Sequence, residues 1–371
     1  MKNIKPQNNI EFNDILIFDA HCDTANILLD KSFYFIIKKN HSHLDLEKIK
    51  KGGLKAQIFA IWVSPVYMPN SSIKKALILY NTLEKKIFDL DYGKKVTSTD
   101  EMDSAIKNNK LACWLFLEGG HIIENSIEIL EFLYSLGFRG MTLTHTKNTD
   151  WADSSGDKPK WDGLNKLGKE IISKMNKLGM VIDISHSSDK TVEDVLEISS
   201  SPIMASHSCA RAICDIPRNI SNDLIKEIAM RKGYIGVNFF PGFLNKNIYN
   251  QMMKNLEKNE KWYKSKIKEN KDNPDMLNQI ELELYMKMVK GNDKVDLNTL
   301  IDHITHIADV GGIDCVGLGS DFDGITSTPI DLTDVSCYPA LINGLNNRGF
   351  NKKEIKKIMG LNLYNFLKKF D

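Results

Sequence analysis

Eight short apolar runs punctuate this chain of 371 residues, and six of them end in a residue that can hold a metal or carry a proton. The runs are Ile15–Phe18, Ala56–Val63, Ala112–Leu117, Gly140–Leu143, Met180–Ile184, Ile203–Ala205, Tyr234–Phe239 and Cys315–Gly319. Just past them stand His21 and Asp23, Glu118, His145, His186, His207 and Asp321. The polar residues recur at one end of the runs only. In a (β/α)8 barrel the strands are parallel, so their C-terminal ends meet at one mouth, where the active sites of that fold are built. Residues far apart in sequence then converge on one site.

Helical signals between the runs fit a βα repeat. Ser98-Thr-Asp-Glu101 reads as a capping box, Ser98 accepting from the N3 amide while Glu101 reaches back to the cap. Ser188 and Asp189 precede a helix over Thr191–Ile198, Ser221 and Asn222 one over Asp223–Arg231, and Asn298 one over Leu300–Val310 that Gly311 and Gly312 stop. Alternating elements imply a parallel sheet. The Lys-, Glu- and Asn-rich stretch Leu244–Val295 breaks the repeat and reads as an insertion between the seventh and eighth strands. Within it Leu277, Ile280, Leu284 and Met288 share a helical face, with Pro274 as a start and Gly291 as a stop. Its role stays open between a lid, a dimer contact and a solvated bracket. Lys352–Lys369 reads as an amphipathic helix closing the barrel. The expectation is one α/β TIM barrel domain over residues 1–371, with the helical insertion at about 244–295.

Composition narrows the function class. Hydrophobic residues make up 42%, enough for a large core, while a mean hydropathy of −0.29 and the lack of a long uncharged apolar stretch argue against a membrane span. Lys and Arg number 49 against 48 Asp and Glu, a net charge of +1, so no global field draws nucleic acid or an anionic membrane. Six cysteines without a C-x-x-C pair read as buried thiols rather than disulfides. Met1 to Asn13 is polar and has no signal-peptide h-region. A cytoplasmic protein is expected.

His21 and Asp23 lie one residue apart after a strand-like run, so in extended chain both point to one face. Together with His186, His207 and Glu118 they form a mixture of imidazole and carboxylate that suits Zn2+ or a similar first-row ion. Five such ligands exceed what one catalytic zinc takes, but they fit two ions sharing a carboxylate, with Glu118 as the bridge. Two ions about 3.5–4 Å apart hold a water between them, lower its pKa toward roughly 7 and clamp a tetrahedral intermediate. Asp321 in Gly319-Ser-Asp-Phe-Asp-Gly324 is placed as general base and then acid, with Asp323 the competing candidate or a turn residue. His145 is a further ligand or, in the preferred reading, an electrophile that hydrogen-bonds the developing oxyanion. Arg218 is either a bidentate clamp on a substrate carboxylate or a solvated loop residue. His303 and His306, three apart on a helix, read as a polar face. His41, His43 and His121 carry no assignment.

Leu117-Glu-Gly-Gly-His121, Leu130, Tyr134, Gly137-Phe-Arg139 and Thr142-Leu-Thr-His-Thr-Lys-Asn148 closely resemble the signature of the membrane (renal) dipeptidase family, the M19 peptidases. The resemblance extends in order through Asp19-Ala-His-Cys-Asp23, Asp183-Ile-Ser-His186, Ser206-His-Ser208, Arg218-Asn219 and Gly319–Gly324, over roughly residues 14 to 366. It implies a barrel of the metal-dependent hydrolase type with two zinc ions. His21, Asp23 and Glu118 would hold one, and Glu118, His186 and His207 the other. It further implies His145 and Arg218 contacting substrate, Asp321 transferring the proton, and a homodimer. Trp151-Ala-Asp153 and Asn238–Phe240 are expected to shape the pocket for substrate side chains, Asn238 among the contacts.

The expected activity is hydrolysis of dipeptides, including those with a C-terminal D-residue, by a metal-bridging hydroxide. The rival reading is another amidohydrolase acting on N-acyl amino acids, lactams or cyclic amides, and a third is a metal-binding protein without catalysis. The chain departs from animal members in showing no secretory or anchor signal, and its insertion looks more like microbial relatives.

Overall fold

A computed structural model describes residues 14–30, 35 and 42–371; Met1–Asn13 and His41 lie outside the described residues. Eight strands follow the eight apolar runs: β1 (Ile17–Cys22), β2 (Leu54–Trp62), β3 (Leu111–Glu118), β4 (Phe138–Thr142), β5 (Val181–Asp183), β6 (Met204–Ala205), β7 (Tyr234–Val237) and β8 (Val316–Leu318). Each pairs in parallel with the next. The ring closes between β8 and β1 by a single bridge, Cys22 to Phe322, where Asp23 N–H donates to the Phe322 carbonyl at 2.9 Å. A three-residue strand, Gly93–Lys95, adds to the start of β3 and had no sequence signal. The architecture is a nearly closed (β/α)8 barrel.

Alternation along the strands sorts their side chains, because successive residues of a strand point to opposite faces. On β3, Leu111, Cys113, Leu115 and Leu117 join the apolar layer between strands and helices. Ala112, Trp114 and Phe116 join the cluster inside the barrel, with Phe18, Ile58, Val181, Met204 and Tyr234. Glu118 is next in that inward series, so strand parity alone turns its carboxylate into the mouth. Space for the interior comes partly from Gly140, where a Cβ would meet the Phe116 ring at 2.3 Å.

Helix starts mostly follow their caps, with instructive shifts. Ser98, Ser188 and Ser221 each accept the expected backbone amide. Glu101, however, accepts from Thr97 N–H at 2.7 Å rather than from the cap residue. Asp296, not Asn298, caps the helix Leu297–Gly311, since its carboxylate accepts from both Thr299 N–H and Oγ1 at 3.1 Å. The C-terminal stretch is broken rather than one helix. At Gly360 it passes so close to β1 that a Cβ would meet the Leu16 carbonyl oxygen at 2.5 Å, and Leu363 and Phe366 then plug the barrel interior. The insertion forms two helices, Lys246–Glu269 and Pro274–Val289, with Ile280 and Leu284 buried as the spacing predicts. Among the described residues no helix is long and apolar enough to cross a membrane.

Candidate metal centre

The barrel brings the ends of six strands to one point. His21 Nε2 lies 3.3 Å from Asp23 Oδ2 and 3.5 Å from Glu118 Oε2. His186 Nε2 and His207 Nε2 each lie 3.4 Å from the other carboxylate oxygen, Glu118 Oε1. Glu118 therefore turns one oxygen to each half of the cluster. The halves are not far apart, since the His21 and His207 rings approach to 3.8 Å and Glu118 groups by distance with both. Asp321 Oδ1 stands 4.0 Å from His21 Nε2, and His145 Nε2 stands 3.9 Å from Glu118 Oε1.

The donor set fits divalent ions, and the polar atoms left over point the same way. Among the described residues, His21 Nε2 and Asp23 Oδ1 are buried without a hydrogen-bond partner. His186 and His207 bring their Nε2 atoms to 2.9 Å from each other, a contact that two neutral imidazoles satisfy only by sharing a proton or a cation. Three overlapping groups have ligand atoms within 4.8 Å of one another: His21, Glu118 and His207; Glu118, His145 and His186; and His21, Asp23 and Asp321. Nitrogen and oxygen donors in this mixture are those of zinc and its neighbours.

Electrostatics divides the histidines. Burial, then the positive charge of Arg218, holds His186 well below the usual imidazole range, and burial, then His21, does so for His207. His145 is lowered to about 3 by burial and then Arg218. His21 is the exception: burial opposes its charge, but the Glu118 and Asp23 carboxylates outweigh burial and raise it well above the usual value. Burial pushes Asp23 up to about 6, with Glu118 adding to the effect. Asp321 is raised to about 7 by burial; His21 opposes this and Asp23 adds to it.

Supporting groups orient the cluster. Asp183, at the end of β5, accepts from Ser185 N–H (3.0 Å) and Ser206 N–H (2.9 Å) on one oxygen. Its other oxygen accepts from the hydroxyls of Ser206 (2.5 Å) and Thr142 (2.6 Å). Ser206 Oγ, having donated to Asp183, is left to accept from His207 Nδ1 at 2.7 Å. The proton of His207 is thereby placed on Nδ1, and the lone pair of Nε2 faces Glu118 and His186. Asn238 Nδ2 donates to Asp321 Oδ2 at 2.8 Å while its Oδ1 accepts from Phe240 N–H at 2.7 Å. His186 and Asp321 sit at φ of 65° and 63°, the left-handed region that non-glycine residues adopt at local cost, each in the loop that follows a strand.

Several expectations change. Asn238 is fully buried with both ends of its carboxamide engaged, so it positions Asp321 rather than lining the pocket. Trp151 and Asp153 are buried too; Asp153 accepts from the amides of Lys160, Trp161 and Gly163 and organises that loop instead of facing a substrate. Asp323 is the turn residue, accepting from Thr24 Oγ1, Ser42 Oγ and His43 N–H. Arg218 is no free loop residue: its Nη atoms donate to Ser208 Oγ and the His207 carbonyl at 2.7 Å, and its Nε is buried without a partner among the described residues. His303 and His306 bond to the Leu244 carbonyl and Asn222 respectively, away from the cluster. Sequence reasoning missed Asp183, Thr142 and Ser206 as supports although all three lie in quoted motifs. It also passed over Trp62, whose ring meets His145 edge-on at 5.4 Å.

The family model described as membrane dipeptidase, peptidase family M19, matches residues 9–371. A dipeptidase of Schizosaccharomyces pombe described as uncharacterized is 31% identical over 344 residues, covering 88% of this chain and 72% of its own length. Dipeptidase 3 of Macaca fascicularis is 28% identical over 94% of the chain, which spans 64% of that protein; for the human Dipeptidase 3 the share is 63%. Among solved structures, a metallo peptidase from Rhodobacter sphaeroides liganded with a phosphinate mimic of the dipeptide L-Ala-D-Ala matches with TM-score 0.78 and 22% identity, over 96% of this chain and 99% of that one. A probable dipeptidase of Pseudomonas aeruginosa matches with TM-score 0.79 and 24% identity, over 96% of each chain. At these identities the structural matches speak to the fold.

Proposed function

The chain belongs to the membrane dipeptidase family, peptidase family M19, and from that premise we propose that it is a dinuclear zinc dipeptidase whose substrates include dipeptides ending in a D-residue. The observation that carries the reading is the division of Glu118, one carboxylate oxygen toward His21, which Asp23 in turn faces, and the other toward His186 and His207. His21, Asp23 and Glu118 would hold one ion and Glu118, His186 and His207 the second. When bound, the ions supply the Lewis acidity that polarises the scissile carbonyl and activates a water as nucleophile.

The chain's own groups do the rest. Asp321, raised to about 7 by burial and fixed by Asn238, can take a proton near neutral pH and return it to the leaving amine nitrogen. His145 stays neutral, so one ring nitrogen keeps its proton to donate to the carbonyl oxygen as negative charge develops there. Arg218 is held in place by Ser208 and the His207 carbonyl, and its Nε has a hydrogen left for the substrate carboxylate. The D-residue part of the reading is supported by the ligand of the Rhodobacter structure.

The same reading takes residues 1–371 as one domain, the protein as a homodimer without membrane attachment, and its compartment as the cytoplasm. All six cysteines are free, as a reducing compartment favours. The test is hydrolysis of matched L,L- and L,D-dipeptides by chelated protein reconstituted with Zn2+. Activity that returns with the second metal equivalent, and that is lost when the C-terminal carboxylate is amidated, is the expected result. Full metal loading without cleavage of any dipeptide would overturn the proposal.

A further inference from the structure

The second insertion helix, Pro274–Val289, takes no part in the metal cluster, yet it is fastened across the barrel mouth. After β2, Ser64 Oγ donates to Glu281 at 2.8 Å and the Tyr67 hydroxyl donates to Asp275 at 2.5 Å. After β7, the Phe240 ring packs against Tyr285 with centroids 6.0 Å apart. After β8, the Tyr285 hydroxyl bonds to Thr326, and burial, with the Asp321 and Asp23 carboxylates adding to it, pushes that hydroxyl's pKa up. Glu281 and Tyr285 are four residues apart, hence on one helix face. Because their partners are mouth loops on different sides of the ring, that face is turned down onto the site.

Direction within the site follows from strand order. In a ring of eight, β6, whose following loop carries Arg218, lies opposite β2. Bound as the proposed function has it, with its carboxylate at Arg218 and its amide beside Glu118, a dipeptide would extend its first residue toward β2. There it would meet Trp62, edge-on to His145, whose buried indole N–H has no acceptor among the described residues. On the rim beside it, after β7, Phe240 and Tyr285 pack against each other, so the rings nearest this part of the mouth are aromatic. Glu281 is already engaged by Ser64 and by Tyr263 and serves to strap the helix down.

We propose that Tyr285, with Trp62, forms the wall of the pocket for the substrate's first residue, so that the insertion sets which dipeptides this chain accepts and favours small apolar first residues. The inference rests on the dipeptidase reading. Its test compares kcat/KM of the wild-type holoenzyme, Tyr285→Ala and Tyr285→Phe on two zinc-saturated series, X-Ala and Ala-X, with X running from Gly to Phe. Tyr285→Ala should raise the ratio for Phe-Ala over Ala-Ala by about tenfold or more, the scale on which a pocket discriminates apolar bulk. The ranking along Ala-X should hold, and Tyr285→Phe should keep the wild-type ranking in both series. An unchanged X-Ala ranking in Tyr285→Ala, or an equal shift in both series, would overturn the inference while leaving the dipeptidase reading intact. A wild-type enzyme that cleaves no dipeptide would overturn both. Tyr285→Leu provides the same comparison should the alanine variant lose its fold.

Discussion

Replacing Asp183 with Asn tests whether the metal centre depends on a proton placed two hydrogen bonds away. The wild-type carboxylate accepts on both oxygens: from two amides, Ser185 and Ser206, and from two hydroxyls, Ser206 and Thr142. A carboxamide cannot turn its NH2 toward the amides, so its oxygen must face them and its NH2 must face the hydroxyls. Ser206 Oγ then accepts from Asn, and its own proton turns to His207 Nδ1. The imidazole is driven to the tautomer with hydrogen on Nε2, which points at Glu118 and His186 and cannot ligate. Loss of such outer supports typically weakens metal binding about 10–100-fold, or about 1.4–2.8 kcal/mol. Titrating chelated protein with Zn2+ against a chromophoric chelator resolves two affinities in the wild type. Asp183→Asn should lower one of them by that factor and leave the His21–Asp23 half nearly unmoved, and Ser206→Ala should act in the same direction. Two wild-type affinities in Asp183→Asn would refute the tautomer argument. So would an equal fall in both accompanied by a lower melting temperature of the metal-free protein, which would make Asp183 merely structural.

Three further outcomes are expected. Glu118→Gln should cut dipeptide turnover by about 10³-fold or more, since several kcal/mol of transition-state stabilisation depend on the paired ions; near-normal turnover at full zinc loading would sink the mechanism. His303 accepts from Ala210 N–H on Nδ1 and bonds the Leu244 carbonyl through Nε2, which fixes it as neutral, and burial lowers it to about 4. Its folded pKa lies below the unfolded value, so the stability it contributes is whole above about pH 6.5 and falls toward pH 4, by roughly 3 kcal/mol at most. Urea unfolding of chelated protein at pH 7 and pH 5 should register that loss, and His303→Gln should flatten the difference; an identical slope in the variant would count against it. Gly360→Ala should cost about 1–3 kcal/mol because its Cβ meets β1 backbone that cannot give way, read as an earlier urea midpoint at unchanged slope; a wild-type midpoint would show that the close approach is not real.

The fold was legible because a parallel barrel writes itself locally: each strand is a short apolar run, and seven of the eight were found within two residues of their observed limits, while β1 runs four residues past the end of its run, through His21 to Cys22. The five candidate ligands were legible for the same reason, since each stands just past such a run and strand direction carries them to one mouth. Where reading failed, the deciding partner was remote. Asp296 outcompeted Asn298 within a single turn, a choice that depends on the angle at which the chain enters the helix. Trp151 and Asp153 looked like pocket residues because they follow a motif, yet burial and three loop amides claim them.

By itself, then, the order of residues determined the barrel, the place of the insertion and the identities of the groups around Glu118, all of which follow from local hydrophobic patterning and from which end of a run is polar. Tertiary structure decided what those groups can do. The tautomer of His207 depends on Asp183, Thr142 and Ser206 from three different strands. The proton affinity of Asp321 depends on burial and on Asn238 from a fourth. Which way the second insertion helix turns depends on Ser64 and Phe240 around the rim. Hydrogen bonds and desolvation are set by distance in space, and the chain acquires those distances only when the ring closes.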